Sequence, residues 1–455
     1  MARILFILSL CIVAHPLLGQ NWRLLHPVLS HTVVINPQNP QVLYIGNWAN
    51  QMYRSDDGGK SWTLLELGNT SATNFISSVV ASSLDTNVLL AGGFGFDGIS
   101  RSVDRGKSWK RALNDVNNAR MWFISEAIIE DNSRPGVFYG ARGSTNNGVW
   151  ESTNNGLTWD SIAVIPSSVT TSLCTIAQRR DSSNIFFLGC EGGVIMRSDD
   201  RCRTWRQVPV LRGGLRIKLD SEIPKIVFSV RYPLQGYAPV AISDPSGISD
   251  NGGILMTTDG GATWDRMAFA DTSFWACDTR EGLDGKDDIF IGGFRTSNRP
   301  TAIKGDSLVF RSSNGGGIWS RYENIPWGQN DIGDTIRNVW ILRYEPVLKR
   351  MYMAAETGLF VLDEATSIND QPAVASHETL KISTSPEMLT VSDLDANDDH
   401  TTWTMYSMTG VRIAGGAVTN PEVQLISTAS LASGAYLLTW GSERRFRTAQ
   451  IMITR

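Results

Sequence analysis

Few residue types in this chain could do nucleophilic or metal chemistry. The five histidines are His15, His26, His31, His377 and His400. The last two lie beyond residue 365, and the set gives poor support to a Ser/His/Asp arrangement. The cysteines, Cys11, Cys174, Cys190, Cys202 and Cys277, do not have zinc-site spacing. The glycine runs Gly92-Gly93 and Gly315-Gly316-Gly317 sit where hairpin turns explain them, and no phosphate loop stands out. Carboxylates, arginines and aromatic rings remain. Asp271, Asp334 and Glu356 are weak candidates for two-carboxylate hydrolysis. Arg120, Arg142, Arg295 and Arg337 could grip hydroxyl or carboxylate groups. Trp48, Phe94, Trp122, Tyr232, Trp275 and Trp340 could stack on a flat ligand face or pack between strands. No cofactor is implied. A net charge of −4 leaves no basic footprint for nucleic acid.

The elements that position these residues are written in a repeat. Arg54 to Trp62 (RSDDGGKSW) recurs as Arg101 to Trp109 (RSVDRGKSW), then as STNNGLTW, SDDRCRTW, TTDGGATW and SSNGGGIW. The shared pattern is S-x-D-x-G-x-T-W. Its Asp/Asn positions are Asp57, Asp104, Asn154, Asp200, Asp259 and Asn314, and its tryptophans are Trp62, Trp109, Trp159, Trp205, Trp264 and Trp319. The side-chain oxygen bonds nearby backbone N–H groups, and Gly takes a positive φ. Cys202 stands where the other repeats have Gly. A period near fifty with strand-rich units predicts a propeller.

The pattern resembles the Asp-box, or BNR, repeat of sialidases, sortilin-type receptors, xyloglucanases and the photosystem II assembly factor. In those families the box marks the outer hairpin of a blade and takes no part in catalysis, which implies the same for the six Asp/Asn positions here. The F/Y-R-I-P segment typical of sialidases is absent near the N terminus, and the tandem propellers of xyloglucanases do not fit one array.

Each repeat reads as four strands, A to D, with the box between C and D. In repeat one these are 32–35, 42–45, 52–55 and 62–65. Repeat five is read from Leu215 to Ala268 with a B–C excursion from Tyr232 to Gly252, and repeat six carries another from Phe294 to Asp306. A seventh repeat without a box has strands near 339–344, 351–355 and 358–362 and lacks strand D. Asn21-Trp22-Arg23-Leu24-Leu25 resembles the strand after a box, so the N-terminal segment is expected to close the ring, leaving no open edge. D–A and B–C connections share one face of a propeller, and the candidate ligand-binding residues fall on them.

Residues 1–20 read as a signal peptide, with Arg3 before the apolar Ile4 to Val13, too short to span a membrane. Export permits disulfides. Cys174 and Cys190 flank a predicted hairpin and are either bridged or two buried thiols. Residues 21–365 are assigned to the propeller, 366–385 to a polar linker, and 386–455 to a small β-sandwich. Within the tail, Tyr406 to Arg412 (YSMTGVR) and Leu431 to Leu438 (LASGAYLL), followed by the terminal Ala449 to Arg455, are similar to the C-terminal sorting domains of type IX secretion. That resemblance implies a Bacteroidetes-type bacterium, export across the outer membrane, and release or surface attachment after cleavage of the tail.

The sequence therefore reads as all-β, a seven-bladed β-propeller followed by a small Ig-like β-sandwich. The functional reading is a secreted or cell-surface, non-catalytic propeller that binds a glycan or protein through its D–A/B–C face. Its partners would be that ligand and the type IX secretion machinery, with no transmembrane helix. The alternatives are a sialidase- or xyloglucanase-like glycoside hydrolase, and a cell-envelope assembly or scaffold factor.

Overall fold

The computed structural model describes residues 22–363 except 49–50, 68–74, 95–97, 115–125, 144–146, 217–218, 220, 243–250, 283–284, 296–304, 306 and 329–336. Further on it describes the strands between 381 and 453, with Ala429 and Leu431. The leader, Cys11, Asn21 and most of the 366–385 linker lie outside the described residues. Contacts divide the chain into two units, Met1–Ala365 and Thr366–Arg455.

Six loops repeat one set of bonds. Ser55 Oγ accepts the Gly59 N–H at 2.8 Å and donates to Asp57 Oδ1 at 2.8 Å. Asp57 accepts the N–H groups of Lys60 and Ser61 and the Ser61 hydroxyl. The bonds of the hydroxyl that opens the loop, and a backbone N–H held by the Asp/Asn oxygen, recur around Asp104, Asn154, Asp200, Asp259 and Asn314. The Ser61 hydroxyl and the other donors hold the Asp57 carboxyl far below its usual range, and the Ser108 hydroxyl leads those that bring Asp104 down to about 2.

Two consecutive residues in each loop take positive φ: Gly58-Gly59, Arg105-Gly106, Asn155-Gly156, Arg201-Cys202, Gly260-Gly261 and Gly315-Gly316. The first donates its N–H to a carbonyl beside the A–B turn of its own blade, as Gly58 does to Gln41 and Asn155 to Gly136. The second faces the preceding blade. A Cβ on Gly261 would lie 2.3 Å from the Phe187 ring, one on Gly156 2.4 Å from Leu90, and one on Gly316 2.2 Å from Met267. Glycine is needed here for shape as well as for φ. At Cys202 the side chain instead joins the apolar cluster with Tyr139, so blade 3 leaves it room.

The result is a seven-bladed propeller of antiparallel sheets. The inner strands are Thr32–Asn36, Phe75–Ala81, Ile128–Glu130, Leu173–Gln178, Val227–Phe228, Phe274–Glu281 and Val339–Glu345. One apolar cluster fills each of the seven seams between neighbouring blades; Val34, Tyr44, Ile76 and Leu89 meet between blades 1 and 2, for example. The last blade closes as the sequence predicts. Arg23–His26 pairs antiparallel with Gly358–Asp363, Arg23 opposite Val361. Trp22 is buried beside Tyr322 and takes the place of a box tryptophan.

Blade 5 departs from expectation. Leu215 does not begin its inner strand. Val210–Arg212 and Leu215–Arg216 form an added hairpin whose first strand runs parallel to Trp264–Ala268, giving a six-stranded sheet. The N–H groups of Gly213 and Gly214 at its tip bind the Asp265 carboxylate. The hairpin covers Trp264, whose ring is fully buried, unlike the five other box tryptophans. The true second strand is Gly236–Val240, so the B–C connection starts after it, not at Tyr232.

The second unit contains two antiparallel sheets. One joins Lys381–Thr384, Met388–Ser392 and Val423–Ser427. The other joins Arg412–Ala417, Thr402–Ser407, Gly434–Ser442 and Arg445–Ile453. Gly410 and Val411 of the YSMTGVR motif lie outside the described residues.

Two stability experiments follow. Gly261→Ala should cost about 1 kcal/mol for its positive φ and about 2 kcal/mol more for the collision with Phe187. Gly315→Ala should cost only the first part, because the nearest atom to its Cβ is 3.8 Å away. Urea unfolding of the two variants measures the difference. Deleting residues 21–27 should lower the melting temperature by on the order of 10 °C through loss of the closing strand; an unchanged value in calorimetry would contradict the closure.

Candidate functional site

The B–C and D–A connections of blades 6, 7 and 1 meet on one face. Asn338, just ahead of the inner strand of blade 7, fastens them. Its side chain accepts the Arg295 N–H at 2.6 Å and donates to the Arg295 carbonyl at 2.7 Å, and its own carbonyl accepts the Glu356 N–H. The Ser30 N–H donates to the Ala355 carbonyl, bringing in the entry to blade 1. This arrangement gathers Arg295, Arg337 and Glu356. Neither Asn338 nor its role is visible in the sequence, because its side-chain partner, Arg295, lies 43 residues away.

Beneath them lies a cluster of rings. Trp275 packs against Phe294 at 4.5 Å and against Trp340 at 5.5 Å, and Phe294 meets Trp340 at 5.1 Å. His31 joins Trp340 at 5.0 Å to Trp48 at 5.3 Å. The sequence left open whether these rings contact a ligand or pack, and burial decides for most of them. Trp275 is 3 % exposed and Trp340 7 %, so both form a floor within the fold; only Trp48 is half-buried. Burial pushes His31 down to about 3, so its ring is neutral across the physiological range.

The other expected contacts are dispersed. Arg142 ends the second strand of blade 3, buried, with its guanidinium 5.4 Å from the Trp150 ring centre. Tyr232 lies in the A–B turn of blade 5, on the opposite face, and its hydroxyl donates to the Gly285 carbonyl. Its placement in a B–C loop is corrected: the short inner strand Val227–Phe228 precedes it, and Gly236–Val240 follows. Asp271 is exposed and accepts from the Thr272 hydroxyl at 3.1 Å. Arg120, Trp122 and Asp334 lie outside the described residues, as does the side chain of Phe94.

The structure adds a carboxyl pair that the sequence did not reveal. Glu191, in the B–C connection of blade 4, forms an isolated β-bridge with Glu222, which precedes the inner strand of blade 5 and bridges onward to Ala241. The Thr171 hydroxyl donates to Glu191. Burial, with the Glu191 charge beside it, raises Glu222 to about 7. Residues thirty-one positions apart gave no sequence signal of this pairing. Nearby, Cys174 and Cys190 are buried free thiols, as are Cys202 and Cys277. The Cys174–Cys190 bridge is thus not formed; Cys190 pairs with Leu173 in register, and Cys174 sits in the bulge after it. Burial holds these thiols well above their usual range, in the protonated form. Among the described residues no group of three or more His, Cys, Asp or Glu side chains could hold a metal ion.

Because Glu222 binds its proton more tightly when folded, stability should fall as pH rises from about 4.5 to about 7. Glu222→Gln should remove this slope and stabilise the protein at pH 8 by on the order of 2 kcal/mol. Urea unfolding at pH 4.5, 6 and 8 tests both statements.

No family model and no curated protein matches the chain. Solved structures do resemble it. The GH74 xyloglucanase of Xanthomonas campestris superposes with a TM-score of 0.53 at 14% identity, over 93% of this chain and 66% of its own. PorZ of Porphyromonas gingivalis, described as an essential bacterial surface component of the type-IX secretion system, gives 0.51 at 14% identity, over 91% and 58%. YCF48 from Cyanidioschyzon merolae gives 0.50 at 12% identity, over 75% and 98%. The chain therefore spans less than two thirds of the xyloglucanase and PorZ chains, and identities this low establish the shared fold alone. Among the described residues no helix is long and apolar enough to cross a membrane.

Proposed function

We propose that this chain is an exported, non-catalytic binding propeller that recognises a glycan or a protein at a cell surface through its D–A/B–C face. The observation carrying this reading is the rim where blades 6, 7 and 1 meet. Half-buried Arg295 and Arg337 are gathered there by Asn338, beside half-buried Trp48, with buried Glu356 and a rigid ring floor beneath them. Guanidinium and carboxylate groups fix hydroxyls by charge-assisted hydrogen bonds, and one ring edge adds apolar contact. A packed floor keeps such a rim preorganised, which reduces the ordering cost of binding. Asp271 belongs to the same face in this reading, and Phe94, Arg120, Trp122 and Asp334 are proposed as further ligand contacts from the sequence repeat alone. Arg142, Trp275 and Trp340 support it from within.

The six loops are Asp-boxes in this reading, with structural roles only. The tail motifs mark residues 386–455 as a sorting domain for type IX secretion, following a signal peptide at 1–20, a propeller at 21–365 and a linker at 366–385. The likeness to PorZ, a surface component of that system, agrees with surface placement.

A second reading is favoured by one observation. Glu191 and Glu222 are adjacent, and one of them is pushed to about 7, which is how a glycosidase keeps an acid protonated beside an ionised partner. In this reading Glu222 is the acid, in place of the weaker candidates Asp271, Asp334 and Glu356.

Both readings meet in one screen of the full chain on polysaccharides, with binding and reducing-sugar release recorded together. Trp48→Ala combined with Arg295→Ala should weaken binding about tenfold with little change in melting temperature. Unchanged affinity would overturn the rim assignment. Sugar release abolished in Glu222→Gln would establish the hydrolase reading instead.

A further inference from the structure

The inner strands of a propeller line a central channel, and here a charged cluster crosses it. Glu126 stands two residues before the inner strand of blade 3. Its Oε2 accepts from Lys225 Nζ, ahead of the inner strand of blade 5, and its Oε1 accepts from Arg343 Nη2, on the inner strand of blade 7. Blades 3, 5 and 7 are not neighbours in the ring, so a contact joining all three must span the lumen. The depth is fixed by hydrogen bonds to neighbouring inner strands. Ile176, fourth of six residues in its inner strand, donates its N–H to the Glu126 carbonyl. Ser78, fourth of seven in blade 2, accepts the N–H groups of Ala127 and Ile128. The cluster therefore sits near the middle of the channel.

Its charges do not cancel. Burial pushes the Glu126 carboxyl up, but Lys225 and Arg343 beside it outweigh that and hold it below its usual range, with a further contribution from Arg180. Three cations thus act on one carboxylate. Asp278, on the inner strand of blade 6, uses its oxygens on the N–H groups of Thr279 and Tyr344. Arg180 directs its Nε to the Phe228 carbonyl at 3.0 Å. The Arg343 guanidinium makes no second hydrogen bond among the described residues, and the side chain is 34 % exposed. A guanidinium with donors to spare, facing solvent inside a protein-lined channel, favours an anion more than it would in open water.

We propose that the Glu126–Lys225–Arg343 cluster is a binding site for a ligand carboxylate, held by Arg343 with Lys225 behind it. The carboxylate class follows from what the cations already do: Lys225 and Arg343 each take one oxygen of a single planar carboxylate. The site is independent of the rim at blades 6, 7 and 1 and does not depend on that rim being the surface that contacts a glycan or protein.

The test is calorimetric titration of the full chain at low salt with glucuronate, glucose and inorganic phosphate as probes. Glucuronate should bind, glucose should not, and phosphate should bind more weakly than glucuronate. Arg343→Gln leaves the Glu126–Lys225 pair in place and should weaken glucuronate about tenfold. Glu126→Gln frees both cations and should tighten it several-fold. If Glu126→Gln does not fold, as circular dichroism would reveal, the Arg343→Gln comparison decides alone. Lys107→Gln, which removes an exposed cation from the loop of blade 2, should leave glucuronate binding unchanged. The proposal is overturned if glucuronate does not bind, if Arg343→Gln binds it as well as the parent, or if glucose matches it. Phosphate binding tighter than glucuronate would overturn the carboxylate class, and loss of glucuronate binding in Lys107→Gln would overturn the location.

Discussion

The structure depends on one short hydrogen bond repeated six times, from a backbone N–H to the Ser or Thr hydroxyl that opens each loop. It pins the second positive-φ residue of the loop, at 2.8 Å in the case of Gly59. That residue sets how closely one blade approaches the blade before it. At Gly59 a Cβ would touch Leu25, at Gly106 Leu65, and at Gly261 Phe187. The loop is thus a spacer between sheets as well as a turn within one. The Asp or Asn oxygen holds the loop from inside, and in four of the six loops the tryptophan Nε1 donates to the carbonyl of the second positive-φ residue, as Trp62 does to Gly59. Where the added hairpin covers blade 5, Trp264 gives up that bond and is buried among Phe187 and Phe228 instead.

Much of this was legible in the sequence because it is local. Turn chemistry lies within nine residues, and alternating strands lie on either side of it. Even the closing strand was readable, because Trp22-Arg23-Leu24-Leu25 repeats the local pattern of Trp62-Thr63-Leu64-Leu65. The errors arose where distant segments decide. Leu215 resembles a blade strand but joins a hairpin docked on Asp265. Tyr232 falls in the A–B turn and not in a B–C loop, because only two residues of blade 5, Val227–Phe228, form its inner strand. Trp275 and Trp340 were candidates for contact, but rings from three blades meet there and bury one another. The Glu191–Glu222 pair and the Glu126 cluster depend on the curvature of the whole ring, which no local pattern encodes.

The chemistry of the molecule is accordingly divided between two kinds of place. Rings and aliphatic side chains fill the seams. Charged groups collect at the rim of one face, along the channel where inner strands from separate blades converge, and in ion-pair networks such as Arg280–Asp288–Arg311 in blade 6 and Arg134–Glu151–Arg203 between blades 3 and 4. Burial in these places changes what the groups can do. His31 is held neutral, Glu222 retains a proton near neutrality, and Glu126 is kept ionised by its cations. A ring of similar sheets can therefore carry different chemistry at each seam without altering the loops that space its blades.

Closure by the first strand also bears on the order of assembly. Arg23 lies opposite Val361, so the last seam brings together residues separated by nearly the whole length of the ring. Such a contact carries a large loop-closure cost and forms late in folding. A chain emerging from a pore with its N terminus first would hold Arg23–His26 without a partner until Gly358–Asp363 had followed. Until then the blades form an open arc with one bare strand edge at the end of blade 7. Completion of the ring therefore waits for both ends of the propeller: the seventh blade gains its fourth strand only when Gly358–Asp363 has reached Arg23–His26.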